Sequence, residues 1–272
     1  MLPMNDGKDL YSRKYMDLDS SSLSNPVVIM GLPGIANVGR IAVETLAQIV
    51  DAQLYMEVFS LDNPPKVFVK DGLSRFPKSS IHLYRSAPDE YHDLLIVMAD
   101  FQPASGRGVF QYADFMAQQF TSLGISRVFA LAAYEQDYKK FFASYPSEPR
   151  IFLSASEQAL LSSLLEVRDT VKTESGVITG ANGIVPTWAS TMYNMESACL
   201  LGETLGMIKM DYRSAKKVLG AVCSHLGIKA DLSVLDDGAA KVEKFIEWAK
   251  SEMETRETVS ESDEHPSDRY IG

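Results

Sequence analysis

Pro26-Val-Val-Ile-Met30-Gly31-Leu-Pro-Gly34-Ile-Ala-Asn-Val-Gly39-Arg40 holds an apolar run, a glycine-punctuated turn and the start of a helix. An apolar stretch cut short by Gly and followed by helix-forming residues reads as a strand–turn–helix unit. Three later runs resemble the first: Leu94-Leu-Ile-Val-Met98, Arg127-Val-Phe-Ala-Leu131 and Ala198-Cys-Leu-Leu201. Strands apolar on both faces belong inside a sheet covered by helices, usually a parallel one. By contrast, Lys66 to Val69 and Ile81 to Tyr84 are short and flanked by polar residues. They read as half-exposed antiparallel strands near an edge.

Helices fill the intervals. Residues 36–50 follow the first strand directly. Residues 107–123 align Val109, Ala113, Met116, Phe120 and Leu123 before Gly124, a natural stop. Residues 212–226 begin after Asp211, a good N-cap, and align Ala215, Val218, Leu219, Val222 and Leu226. Residues 239–253 carry Val242, Phe245, Ile246, Ala249 and Met253 on one stripe. Strands alternating with helices predict a three-layer α/β/α sandwich on a mostly parallel central sheet.

The glycine turn stands where a phosphate-binding loop would, but its details disagree. The spacing Gly31, Gly34, Gly39 is not G-x-G-x-x-G, and Arg40 and Ile41 replace the Lys and Ser/Thr of a P-loop. The glycines read as a tight turn and close helix–sheet packing, with no magnesium-dependent nucleotide binding. A second cluster, Thr179-Gly-Ala-Asn-Gly183, precedes Leu201-Gly-Glu-Thr204. Loops at the carboxyl ends of parallel strands converge on a crevice. Gly31, Gly34, Asn37, Gly39, Asn182 and Glu203 are its candidate residues, with Asp100 and Glu135 nearby. They suit either a small-molecule site or a polar rim of structural loops. Because no nucleophile–base pair is legible, no catalytic residue is assigned. His82, His92, His225 and His265 lack metal-ligand spacing, so neither metal nor cofactor is expected.

The formal net charge is −10, and no basic run exceeds two residues, which argues against nucleic acid. Two cysteines, Cys199 and Cys223, in apolar surroundings suit a reduced, cytoplasmic protein. No apolar stretch has the length of a membrane span. Residues 1–24 are polar and Ser-rich and read as a peripheral lead-in. Residues 25–250 form one α/β domain. Residues 251–272 read as a flexible acidic tail, because 252–264 hold six acidic groups and little apolar surface to offset the entropy of ordering.

Gly31-Leu-Pro-Gly34-Ile-Ala-Asn-Val-Gly39, Asp51-Ala52, Asn63-Pro-Pro65, Ile178-Thr-Gly-Ala-Asn-Gly183 and Cys199-Leu-Leu-Gly-Glu-Thr204 occur in that order. Together they resemble the proteasome assembly chaperone 2 family, including its archaeal members, from about residue 26 to 226. The resemblance implies a sandwich like that of purine nucleoside phosphorylases, without evident retention of their catalytic residues. It further implies homo-oligomers that help assemble or bind the proteasome core. Family members often end in hydrophobic–Tyr–any, which docks between α-type subunits. Here Arg269 precedes Tyr270, and Tyr270 is third from the end, so Tyr270, Ile271 and Gly272 are a shifted variant of that anchor or an ordinary chain end. Two readings from different classes follow. One is a non-enzymatic chaperone or scaffold for proteasome subunits. The other is a nucleoside phosphorylase-like enzyme or small-molecule transferase working in the crevice.

Overall fold

The computed structural model describes residues 4–5 and 9–262. In chain order the strands are β1 (Met4–Asn5), β2 (Leu10–Lys14), β3 (Val27–Met30), β4 (Gln53–Ser60), β5 (Phe68–Lys70), β6 (Leu73–Arg75), β7 (Ser79–Tyr84) and β8 (Leu94–Ala99). They continue with β9 (Arg127–Glu135), β10 (Ile151–Ala155), β11 (Thr170–Lys172) and β12 (Glu196–Thr204). The helices are α1 (Val38–Ile49), α2 (Gly106–Ser122), α3 (Tyr138–Ser144), α4 (Gln158–Leu164), α5 (Ala181–Tyr193), α6 (Tyr212–Leu226) and α7 (Asp236–Ser262).

Ten strands form one sheet in the order β1-β2-β4-β7-β8-β3-β9-β12-β10-β11. Its centre, β8-β3-β9-β12, is parallel throughout. These are the four runs singled out by their two-sided apolarity. Alternation along each splits the core in two, since successive side chains of a strand face opposite ways. Val27, Ile29, Ile96, Phe129, Leu131 and Leu200 meet α1 and α6 on one face, with α3, α4 and α7 beyond. Val28, Met30, Val97, Val128, Cys199 and Leu201 meet α2 and α5 on the other. Val28, Ile96, Val128 and Leu200 are all fully buried. Each contributes about 1.5–3 kcal/mol of burial.

The flanks are antiparallel and correct the sequence reading. Ile81 to Tyr84 lies in β7, which is antiparallel as expected, but it runs inside the sheet between β4 and β8 and not at an edge. Its polar look comes from Ser79 and Ser80, hydroxyls small enough to be covered. The 66–69 stretch ends in β5, which pairs only with β6 in a separate hairpin. The lead-in supplies β1 and β2 at the sheet edge, anchored by the fully buried Leu10. Where the sequence places the end of the folded domain near 250, α7 continues to Ser262. Glutamate is a good helix former.

Candidate functional site

The glycine turn is built on close approach. A Cβ on Gly31 would fall 2.2 Å from the carbonyl oxygen of Gly39, and one on Gly39 would fall 1.9 Å from that of Leu131. The first turn of α1 therefore lies directly on the end of β3 and the middle of β9. Gly34 differs: its backbone is extended, and an added Cβ would meet Asn182 and Gln102 at an ordinary 3.7 Å. The strain in the turn is carried by Ala36 and Asn37, both left-handed with φ near 50°. Non-glycine residues hold that conformation at a cost of about 1–2 kcal/mol. The loop between β12 and α6 holds them there: Asp211 N–H donates to Ala36 O at 2.9 Å, and Asn37 Nδ2 donates to Lys209 O at 3.1 Å.

Asn182, in the first turn of α5, is buried and clamps one residue from both sides. Its Oδ1 accepts from Leu32 N–H at 2.8 Å, and its Nδ2 donates to Leu32 O at 3.0 Å. Gln102 bridges the same elements, donating to Pro33 O at 2.5 Å and accepting from Ala181 N–H at 2.6 Å. Sequence reading missed Gln102; its only signal is its place just past the carboxyl end of β8. Gly31 N–H donates to Val97 O and Asn37 N–H to Gly34 O. The Gly31, Leu32 and Asn37 amides are thus already committed. Arg40 pairs with Glu44 one turn along α1 at 2.7 Å, so its charge is spent on the helix surface.

Beside this turn lies a cleft of about 420 Å³, lined among others by Gly34, Gly39, Asn182, Gln102, Tyr134 and Glu135. Gly31 and Asn37 are not among the residues that line it. Glu203 does not enter the cleft. Arg150 draws it toward β10, with Nη2 to Oε1 at 2.7 Å and Nε to Oε2 at 3.2 Å, and Gln136 donates to it at 3.0 Å. Burial pushes the Glu203 carboxyl up, but the Arg150 and Gln136 hydrogen bonds and the guanidinium charge outweigh it, leaving it below the ordinary value. Asp100 is likewise taken, by both terminal nitrogens of Arg75. Cys199 lies beneath the cleft, fully buried, and burial pushes its thiol up to about 12, so it supplies no thiolate near neutral pH. His82, His92 and His225 lie elsewhere, against Ala52, Asn25 and Phe129. Among the described residues, no three His, Cys, Asp or Glu side chains gather as a metal site, and no helix is long and apolar enough to cross a membrane. The cleft wall offers Glu135 and the Tyr134 and Thr179 hydroxyls, but no paired nucleophile and base.

What the carboxyl edge does display is apolar. Ile35 after β3, Tyr138 after β9, Val177 before α5, and Met207 and Met210 after β12 are exposed by 42–88%. Ile35 and Val177 line the cleft, Tyr138 and Met207 line a neighbouring hollow, and exposed apolar side chains spread over this edge suit another protein. Methionines adapt to irregular partners.

A second unusual surface lies beside the loop that follows β8, where Phe68 stacks on Phe101. Residues 61–77 leave the sheet after β4 as an arm that carries the β5–β6 hairpin. The turn Asp71-Gly72 has φ of 49° and 77°, the geometry of a two-residue hairpin loop. Leu61, Val67, Val69, Leu73 and Phe76 are exposed by 53–78%. Sequence reading passed over the Asp-Gly signal that marks the turn. At the root of the arm is a groove of about 730 Å³ lined by Tyr11, Phe59, Leu61, Pro65 and Phe76 with Arg13 and Lys66. Tyr270, Ile271 and Gly272 lie outside the described residues.

Comparison with known proteins places this geometry. The profile of the PAC2 family matches residues 28–249. The uncharacterized protein MJ1210 of Methanocaldococcus jannaschii is 28% identical over 267 residues, covering 97% of this chain and 98% of its own. The crystal structure of Pyrococcus furiosus PbaB, described as an archaeal proteasome activator, is 27% identical with a TM-score of 0.79. The match covers 89% of this chain and 99% of that one. Pyrococcus furiosus PbaA, described as an archaeal homolog of proteasome-assembly chaperone, shares the fold at 22% identity and a TM-score of 0.68. That match covers 92% of this chain and 96% of that one.

Proposed function

The chain belongs to the PAC2 family, and from that premise we propose that it is a non-enzymatic, cytoplasmic chaperone or scaffold that binds proteasome subunits. The observation that carries this reading is the carboxyl edge. There, Ile35 and Val177 line a cleft without a nucleophile–base pair, and Tyr138, Met207 and Met210 stand exposed on neighbouring loops. An enzyme needs a reacting group within hydrogen-bond reach of its base. A docking surface needs apolar anchors with a polar rim. Likeness to a proteasome activator at 27% identity over nearly the whole of that chain supports the choice of partner. On this reading the protein works as a homo-oligomer, and Tyr270, Ile271 and Gly272 add a second contact, to α-type subunits.

The test is binding of purified proteasome α-type subunits, followed by native mass spectrometry, for the unaltered chain and for Met207→Asp/Met210→Asp. Placing two carboxylates in the rim is expected to weaken the complex at least about tenfold, equivalent to about 1.4 kcal/mol. Wild-type-like binding by the double variant removes the rim from the interface. Phosphorolysis of a nucleoside by the purified chain overturns the non-enzymatic reading outright.

A further inference from the structure

A cavity of about 620 Å³ lies beside α6, between α7 and residues 167–169 at the entry to β11. That volume is ordinary for a small-molecule site. The lining follows α6 from Arg213 in its first turn to Ser224 in its last, about 16 Å at 1.5 Å per residue. Ile151, Val167, Ala221, Leu232 and Ala240 make much of it apolar. Four cations and four carboxylates also line it, so the cavity has no net charge. Most of these charges are matched. Lys216 pairs with Asp236, and Lys217 pairs with Asp169 at 2.9 Å and Glu148 at 3.1 Å. Arg168 reaches Asp169 at 3.6 Å and is 90% exposed, so water solvates it.

Arg213 is the exception. It is only 7% exposed, and its Nε and Nη2 are sealed from water without a hydrogen-bond partner. Asp211 Oδ2 lies 3.9 Å from Nη2, beyond hydrogen-bond reach. That carboxylate is already engaged: Oδ2 accepts from Thr204 Oγ1 at 2.7 Å, and Oδ1 accepts from Ser214 N–H at 2.9 Å. Glu243 faces the cavity from α7 but forms no ion pair with Arg213. The guanidinium instead stands against the Phe141 ring, 5.3 Å from its centre. Buried donors left without acceptors carry their full desolvation penalty, and a charged group carries more than a neutral one. An arginine held in this state beside a cavity is short of one anion.

We propose that this cavity binds a small molecule carrying one carboxylate on an apolar body. The carboxylate meets the Arg213 guanidinium, whose Nη1 is not sealed off, and planar guanidinium and carboxylate groups match in geometry. The apolar body lies along α6 against Val167, Ala221 and Leu232. A single negative charge is what the site can match. A polyanion would bring more charge than Arg213 can meet, and Glu243 and Glu148 would repel the excess. A bound ligand touches α6, α7 and the β10–β11 edge at once, so it fastens α7 to the body and stabilises the fold by mass action. The inference does not rest on the proteasome reading.

Titration of the full-length protein with 4-phenylbutyrate, followed by calorimetry and by the arginine Nε–H resonances, tests it. One molecule is expected to bind saturably and to move the Arg213 resonance. 4-Phenylbutylamine has nearly the same shape and the opposite charge, and inorganic phosphate has no apolar body. Each is expected to bind at least about tenfold more weakly. Arg213→Met keeps an apolar stem and removes the charge. Ala240→Phe fills the cavity from an exposed helix position and leaves Arg213 in place. Either substitution is expected to weaken 4-phenylbutyrate at least about tenfold, and Ala240→Phe carries the test if Arg213→Met does not fold. The proposal is overturned if no saturable binding is seen, or if the amine or phosphate binds as tightly. It is equally overturned if the Arg213 resonance stays put, or if a folded variant binds like the unaltered chain.

Discussion

The glycine turn and the projecting arm are both loops leaving the sheet, and they solve opposite problems. In the turn, Gly31, Leu32 and Asn37 amides, the Asn182 amide and Gln102 all have partners, and two backbones approach so closely that a single methyl has no room. In the arm, Val69, Leu73 and Phe76 turn more than half of their surface to water. The turn is specified by folding. The arm carries apolar side chains that folding does not use, and such residues point to a partner. A region's role can therefore be read from what its side chains still lack.

The sharpest way to break this comparison is Gly39→Ala. The added Cβ would stand 1.9 Å from a backbone carbonyl of β9, which no rotamer can relieve. The expected cost is about 3 kcal/mol or more, a fall in melting temperature of about 6–12 °C for a domain of this size. Gly34→Ala is its control: the backbone there is extended and the space is open, so a change within about 0.5 kcal/mol is expected. If thermal melts show the two variants alike, close approach is not why these glycines are present.

A smaller effect tests whether satisfied polar groups extend along the carboxyl edge. Glu203→Gln keeps the shape and removes the charge facing Arg150. Because the folded-state value of Glu203 lies below its ordinary one of about 4.3, the pair's contribution is fully present above that pH. It is lost as the pH falls through the folded value. Arg150 is half-exposed, so solvent screens the pair and the expected loss at neutral pH is only about 1–2 kcal/mol. Melts compared at neutral pH and near pH 3 should show the gap between variant and parent closing in acid. A gap of constant size would mean that the substitution acts through packing and not through charge.

These residues also show how far the sequence could be read. Gly31 and Gly39 were legible because glycine at a strand–helix junction has few physical reasons to be there. The four central strands were legible because apolarity on both faces has only one comfortable setting. Glu203 was assigned to the crevice because strand ends point there. What moved it was Arg150, 53 residues away in sequence, and no local pattern encodes such a pairing. Gln102 was missed for the same reason: both of its partners come from other loops. β7 looked like an edge because Ser79 and Ser80 are polar, whereas their small size is what lets them be covered. The arm's exposed face has no local signature, because exposure follows from the absence of anything packed against it.

The smallest expected change in stability is the one that most sharpens the contrast. Leu73 lies on β6 across from Lys70, with 78% of its surface exposed, so it contributes little to the core. Leu73→Ser should therefore shift stability by no more than about 0.5 kcal/mol, as ordinary surface substitutions do. Serine is a poorer strand former than leucine, and that accounts for part of even this small change. Association is another matter. If another chain covers the arm, removing an exposed aliphatic anchor should weaken self-association severalfold while the melting curve of dilute protein stays put. Measuring both on the same sample separates the two roles, since a folding defect moves the melt and an interface defect moves only the sedimentation. A large fall in melting temperature would show that Leu73 is packed within its own chain, and the distinction between turn and arm would collapse. An unchanged melt with unchanged sedimentation would confine the interface to the groove side of the arm, where Phe76 and Lys66 lie.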